Sequence, residues 1–108
     1  MIYVPLFKDY LQQDLETFFN PDEFGEIHRI NGRELTIVVD NERLMERTKK
    51  EFDGISIGEL LYFVKASDYG ERPTIGKAQK FDKRQMYVAD VKDSDGIYEI
   101  ILSQNLGG

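Results

Sequence analysis

Four features of this chain have residue types that chemistry could use, and each can be held against the spacing that chemistry requires. Residues 70–78 read G-E-R-P-T-I-G-K-A. A phosphate cradle of the P-loop type needs four residues between its glycines and a Ser or Thr after the lysine, whose hydroxyl holds Mg²⁺. Here five residues separate Gly70 from Gly76, Ala78 follows Lys77, and Pro73 removes a backbone donor. No helical pattern follows, so the stretch reads as a loop entering a strand. Residues 93–96, D-S-D-G, hint at a calcium loop. Aligning Gly96 with the invariant glycine of such a loop puts Val91 at the first ligand position and Leu102 at the last, and neither can coordinate. A tight turn is the simpler reading. His28 is the single histidine, and the nearest serine, Ser56, is remote from it. Nothing in the order of residues predicts a triad, and a strand-surface imidazole is expected. Lastly, 20 Asp and Glu on a small surface make close pairs by chance, so no acid/base pair is argued from them. With one His and no Cys, transition-metal ligation and thiol chemistry are not expected. The reading is therefore of a chain with no catalytic, metal-binding or cofactor-binding residues.

Charge points the same way. The net charge is −6. Sequence-independent grip on a phosphate backbone needs clustered Lys and Arg, so specific nucleic-acid binding is not expected. The segment 40–53 holds a local basic patch, Arg43, Arg47, Lys49 and Lys50, interleaved with Glu42, Glu46 and Glu51. A solvated charged face is the default reading of such a segment. A surface for a protein partner comes second. Tyr69 stands beside Gly70 in a long connection, where tyrosine suits an exposed anchor.

The elements that must position these residues are mostly strands. At 108 residues the chain is read as a single domain over 1–108 with one core. No apolar run approaches the roughly 20 residues needed to cross a bilayer, and residues 1–5 carry no basic region followed by an apolar stretch, so neither a membrane span nor a secretion signal is expected. Residues 5–19 have helical spacing, with Phe7, Tyr10, Leu11, Leu15 and Phe18 on one face and Asp14 intruding on that stripe. Pro5 suits the first turn, and Asn20-Pro21 ends it. Residues 26–30 and 34–39 flank Asn31-Gly32, the strongest short hairpin signal. Residues 40–53 read as a charged loop or a short helix capped by Asp40 or Asn41; the scarcity of apolar residues favours a poorly anchored loop with some helical character.

The β pattern resumes at residues 55–64, where Gly58 signals a bulge or a close backbone approach. Residues 66–76 form a long connection. Residues 77–81 and 85–92 pair around Asp82-Lys83-Arg84, and residues 97–103 pair back across 93–96. In the last strand Tyr98, Ile100 and Leu102 share one face, while Ile97 and Ile101 flank Glu99 on the other. Several strands are apolar on both faces, as expected where a barrel interior takes one face and a helix covers part of the other. The fold class is mainly β: a small antiparallel β-barrel of about six strands over 26–103, with an N-terminal amphipathic helix and long loops. Residues 106–108 read as a frayed end.

Several of these segments carry a family resemblance. The run F-F-N-P-D-E-F-G, the hairpin I-N-G-R-E-L-T-I-V-V-D, the stretch I-S-I-G-E-L-L-Y-F-V-K-A-S-D-Y-G-E-R-P-T-I-G and the run M-Y-V-A-D-V-K-D-S-D-G-I-Y-E-I-I-L together span nearly the whole chain. They resemble the small head–tail joining (head-completion, or neck) proteins of tailed bacteriophages and prophages, of the lambdoid head-to-tail attachment type. The resemblance implies a small β-barrel with a helix and long loops that docks on the portal or adaptor ring after DNA packaging and presents the surface that receives the tail. It implies a ring on the virion, a monomer in solution, loops that order on docking, assembly in the host cytoplasm, and no catalysis. Contact surfaces are expected in 40–53 and 66–76, through Arg43, Arg47, Lys49, Lys50, Tyr69, Glu71 and Arg72. The alternatives are a tail terminator or tail-completion protein, a small ligand-binding barrel or enzyme, and an acidic DNA mimic.

Overall fold

Three two-residue turns organise the sheet. β1 (Glu26–Ile30) and β2 (Arg33–Val39) pair antiparallel from Ile30↔Arg33 to Glu26↔Ile37. Asn31 and Gly32 between them have φ of 52° and 83°, the left-handed pair that a type I′ turn demands. The same device, Asp95 (φ 52°) and Gly96 (φ 79°), joins β5 (Arg84–Ser94) to β6 (Ile97–Ser103). Asp82, also left-handed, and Lys83 join β4 (Ala78–Phe81) to β5. The last two turns are tighter than the residues suggested, so Arg84, Asp93 and Ser94 lie in strands. The computed structural model describes residues 19, 20, 22 and 24–104. The helix expected over 5–19, with Asp14 in its stripe, and the frayed end at 106–108 lie outside the described residues but for Phe19.

With β3 (Leu60–Lys65) the strands close into a six-stranded antiparallel barrel in the order β1-β2-β3-β6-β5-β4. The mainly-β barrel expected from the sequence is therefore the fold. Every strand sends side chains inward: Ile30; Leu35 and Ile37; Tyr62 and Val64; Gln79 and Phe81; Met86, Val88 and Val91; Tyr98, Ile100 and Leu102. A second apolar cluster lies outside the wall, where Phe19, Val38, Leu44, Leu61, Phe63, Ile97 and Ile101 meet, with Phe24, Ile57 and Ala89 packed against them. This explains why β3 and β6 are apolar on both faces. Inward residues fill the barrel, and outward ones are covered by Phe19, Phe24 and a helix.

That helix is α1 (Asn41–Glu51). The favoured reading of 40–53 as a poorly anchored loop is corrected. The carboxylate of Asp40 accepts the Arg43 amide at 2.9 Å and caps the helix, and Leu44 is buried on the outer cluster. β3 starts at Leu60, so residues 55–59 are not strand as the apolar pattern suggested. They cross the end of β6, where the Glu59 amide bonds the Leu102 carbonyl at 2.8 Å. Gly58 marks the closest approach. A Cβ there would overlap Ile101 Cγ2 and come within 2.8 Å of the Leu102 carbonyl oxygen. The connection after β3 opens with one helical turn, α2 (Ala66–Tyr69), which ends at Gly70 with φ 102°.

Candidate functional site

The charged segment 40–53 divides into a buried half and an exposed half. Arg47, the most deeply buried charge among the described residues, is 1% exposed. Its Nη1 donates to Glu99 Oε2 at 2.7 Å, its Nε and Nη2 grip both oxygens of Glu51 at 3.1 and 3.2 Å, and Nη2 also bonds Asp90. Arg43 adds a bond to Glu99 at 3.4 Å, and Lys92 reaches Glu51 at 3.0 Å. Burial opposes the charge on Arg47, but Glu51, Asp90 and Glu99 outweigh it and raise its pKa. The Glu51 carboxyl falls to about 2, chiefly through its hydrogen bond from Arg47. Arg47 is thus removed from the expected contact residues. It holds α1 on the barrel wall, which is why a helix with little apolar surface is anchored at all. Lys49 is exposed, Lys50 is exposed with an ion pair to Glu46 at 3.2 Å, and Arg43 is half-buried.

A β-bulge makes this arrangement possible. Register shifts between Val88 and Asp90, so that both Ala89 and Asp90 face out between the inward Val88 and Val91. In a regular strand Asp90 would enter the core with Val88. The signal was present as a three-residue apolar spacing where two is the rule. Glu99, outward between Ile97 and Ile101, was visible as a charge on an apolar face, but its partner on α1 was not.

Beside α1 lies an apolar groove of about 460 Å³, lined by Leu44, Met45 and Thr48 on one side and by Gly54, Gly58 and Glu59 on the other. Met45 on its wall is 61% exposed.

The connection 66–76 is tethered to the barrel by a buried polar chain. The Tyr62 hydroxyl donates to Gln79 Oε1 at 2.6 Å, and Gln79 Nε2 donates to the Tyr69 hydroxyl at 2.8 Å. Burial raises the pKa of both phenols, most for Tyr62, so both are protonated at neutral pH. Tyr69 packs edge-on against Tyr98 at 5.7 Å, and the Tyr98 hydroxyl bonds the Gly70 carbonyl at 2.8 Å. Arg33 donates to the carbonyls of Asp68 and Tyr69, and Arg72 to that of Val91. Tyr69 is therefore half-buried against the core and is corrected as an exposed anchor. What the connection presents is its tip, with Glu71, Arg72 and Thr74 exposed and Ile75 57% exposed. Gln79 does not stand out in the sequence. Its only signal is a polar residue two positions before Phe81, on the face that must turn inward.

The remaining motifs fall into place as backbone features. The Gly76 amide bonds the Val88 carbonyl at 2.7 Å, and β4 follows it. Residues 93–96 are a strand end and a tight turn. His28 does not simply lie on a strand surface. It stands opposite core Leu35 with its ring 4.8 Å from that of Phe81, Nδ1 2.8 Å from Asp82 and Nε2 3.3 Å from Glu26. Among the described residues no helix is long and apolar enough to cross a membrane, and no group of three or more His, Asp or Glu could hold a metal ion.

No protein-family profile and no curated protein matches the chain. A solved structure does resemble it: the crystal structure of the ATP-binding sugar transporter-like protein from Salmonella typhimurium aligns with a TM-score of 0.50 over 91% of this chain and 92% of that one, at 14% identity. At that identity the likeness extends to the fold alone.

Proposed function

We propose that this chain is a structural joining component of a tailed bacteriophage or prophage, which docks on the portal or adaptor ring after DNA packaging, completes the head and offers the surface for tail attachment. Side chains from all six strands fill the barrel, and this single observation carries the reading, because recognition then falls to the outer surface and the connections. The connection 66–76 supports it further, since Tyr98, Arg72 and the Gly76 amide tie it to the barrel while Glu71, Thr74 and the apolar Ile75 stay exposed on it. Segments spanning nearly the whole chain resemble head-completion proteins. The protein works as a ring on the virion neck, assembled in the host cytoplasm from soluble protomers, with portal, adaptor and tail proteins as neighbours.

The similar Salmonella protein is named for ATP. That activity is not carried over. Residues 70–78 lack the P-loop spacing and hydroxyl, and β4 takes the place of the helix such a loop feeds.

The test is co-sedimentation of the purified protein with portal–adaptor rings, DNA-filled heads and tail tubes. Binding to rings and filled heads is expected, with Ile75→Asp weakening it by at least about tenfold while leaving the fold intact. Capture by tail tubes alone would make the protein a tail terminator. Heads lacking the protein that still accept tails would overturn the proposal.

A further inference from the structure

The barrel is closed at one narrow joint. β1 and β4 share a single registered pair, Ile30↔Phe81, whereas β3 and β6 share six, from Leu60↔Leu102 to Lys65↔Ile97. Two turns meet there, Asn31-Gly32 and Asp82-Lys83, and each lends a side chain to the other's strand. The Asp82 amide bonds the Arg29 carbonyl at 2.6 Å and the Asn31 amide bonds the Lys80 carbonyl at 2.9 Å. Beyond these, Asp82 Oδ1 accepts the Arg29 amide and Asn31 Oδ1 accepts the Lys80 amide, both at 2.9 Å. Side chains thus stand in for the strand residues that the turns have carried away.

His28 completes the joint. Both of its ring nitrogens face carboxylates, Nδ1 toward Asp82 Oδ2 at 2.8 Å and Nε2 toward Glu26 Oε1 at 3.3 Å. Only the imidazolium can donate to both. A neutral ring must turn a lone pair on one of them. Among the described residues the groups around it are Glu26 on its own strand, Asp82 with Lys83 next to it in the turn, the Phe81 ring, and on β2 the uncharged Leu35 opposite, beside Glu34, which is held by Arg29 at 3.5 Å.

We propose that the β1–β4 joint is a proton-operated latch: charged His28 ties β1 to the Asp82 turn and holds the barrel shut, and its discharge loosens this one joint while the rest of the sheet stays paired. Burial works against the charge on His28, but Asp82 and Glu26 outweigh it and raise its pKa above the ordinary 6.5. Its stabilisation is whole below pH 6.5 and drains away as pH climbs through the raised value. The Asp82 carboxyl is held below its ordinary 3.8, first by His28 and then by the Arg29 amide. Its share is whole above pH 3.8 and is lost as pH falls. The joint is therefore tightest between those limits. Opening it would uncover strand edges on β1 and β4, the kind that pair with another chain.

Amide hydrogen exchange read residue by residue by NMR, on the full chain, tests this. Between about pH 6 and pH 8.5, after correction for base catalysis, protection of the Arg29, Asn31, Lys80 and Asp82 amides is expected to fall by about tenfold or more relative to the β3–β6 ladder, with the midpoint of the His28 ring titration. His28→Gln, which keeps one donor and cannot titrate, is expected to remove that dependence. Joint amides that track the β3–β6 ladder across the range overturn the latch, as does a pH dependence that survives His28→Gln. If that variant does not fold, the wild-type comparison of the two midpoints decides alone: a mismatch overturns the latch and a match supports it.

Discussion

Replacing Arg47 by methionine tests what holds α1 to the barrel. The guanidinium is 1% exposed and satisfies Glu99, itself only 8% exposed, along with Glu51 and Asp90. Removing one partner of a buried ion pair costs about 3–5 kcal/mol, because the charges left behind lose their compensation without regaining water. Here the lower end applies. Glu51 is 36% exposed and keeps Lys92, and Glu99 keeps Arg43 at 3.4 Å. A loss of about 3 kcal/mol is expected, against a total stability of about 5–15 kcal/mol for a domain of this kind. With a urea m-value of about 1–1.5 kcal/mol/M, the unfolding midpoint should fall by about 2–3 M. Adding Glu99→Leu to Arg47→Met removes the stranded carboxylate next to Ile97 and Ile101, so the double variant should be more stable than the single by about 1–2 kcal/mol. An Arg47→Met variant within about 1 kcal/mol of wild type would refute the assignment of Arg47 as the anchor. So would a double variant whose loss equals the sum of the two single losses.

Three further outcomes follow from the same geometry. Gly58→Ala places a methyl group into Ile101 Cγ2 and the Leu102 carbonyl, and should lower stability by about 1–3 kcal/mol in the same urea titration. Tyr62→Phe strands the buried Gln79 carbonyl oxygen and should cost about 1–3 kcal/mol, with near-ultraviolet circular dichroism reporting the loosened Tyr69–Tyr98 packing. Glu51, depressed to about 2 by Arg47 and then Lys92, contributes stability that is whole above its ordinary 4.5 and lost as pH falls toward 2. Unfolding midpoints measured from pH 6 down to 2 should hold their Glu51-dependent share above about pH 4.5 and lose it below, and Glu51→Gln should flatten that part of the profile.

The two corrected contact residues share a cause. In the sequence Arg47 and Tyr69 look like surface groups because their neighbours are polar or glycine-rich. Each is buried by a partner far along the chain, Glu99 and Asp90 for the arginine, Gln79 and Tyr98 for the tyrosine. A long side chain that carries both apolar stem and polar tip can satisfy either environment, and only its partners decide which. Of the expected contact residues, Lys49, Lys50, Glu71 and Arg72 remain exposed and Arg43 half-buried, and Ile75 on the connection and Met45 beside the apolar groove are exposed with them.

The strands, turns and inward faces were legible in residue order because their causes are local. Asn31-Gly32 and Asp95-Gly96 tolerate positive φ, and the alternation of Tyr98, Ile100 and Leu102 against Ile97, Glu99 and Ile101 already separates the barrel interior from its wall. Period-two patterning survives any arrangement of the other strands, so the all-β core could be read without them. Tertiary structure alone decided the joints between distant segments: that α1 is pinned by a buried arginine, that a bulge turns Asp90 to meet it, and that Gln79 links two tyrosines. The closure of the barrel through one residue pair, clamped by Asp82 and His28, belongs with these. Such contacts join residues about 10 to 60 positions apart, and their free energy comes from desolvation and complementary partners, quantities that exist only once the chain has brought those groups together.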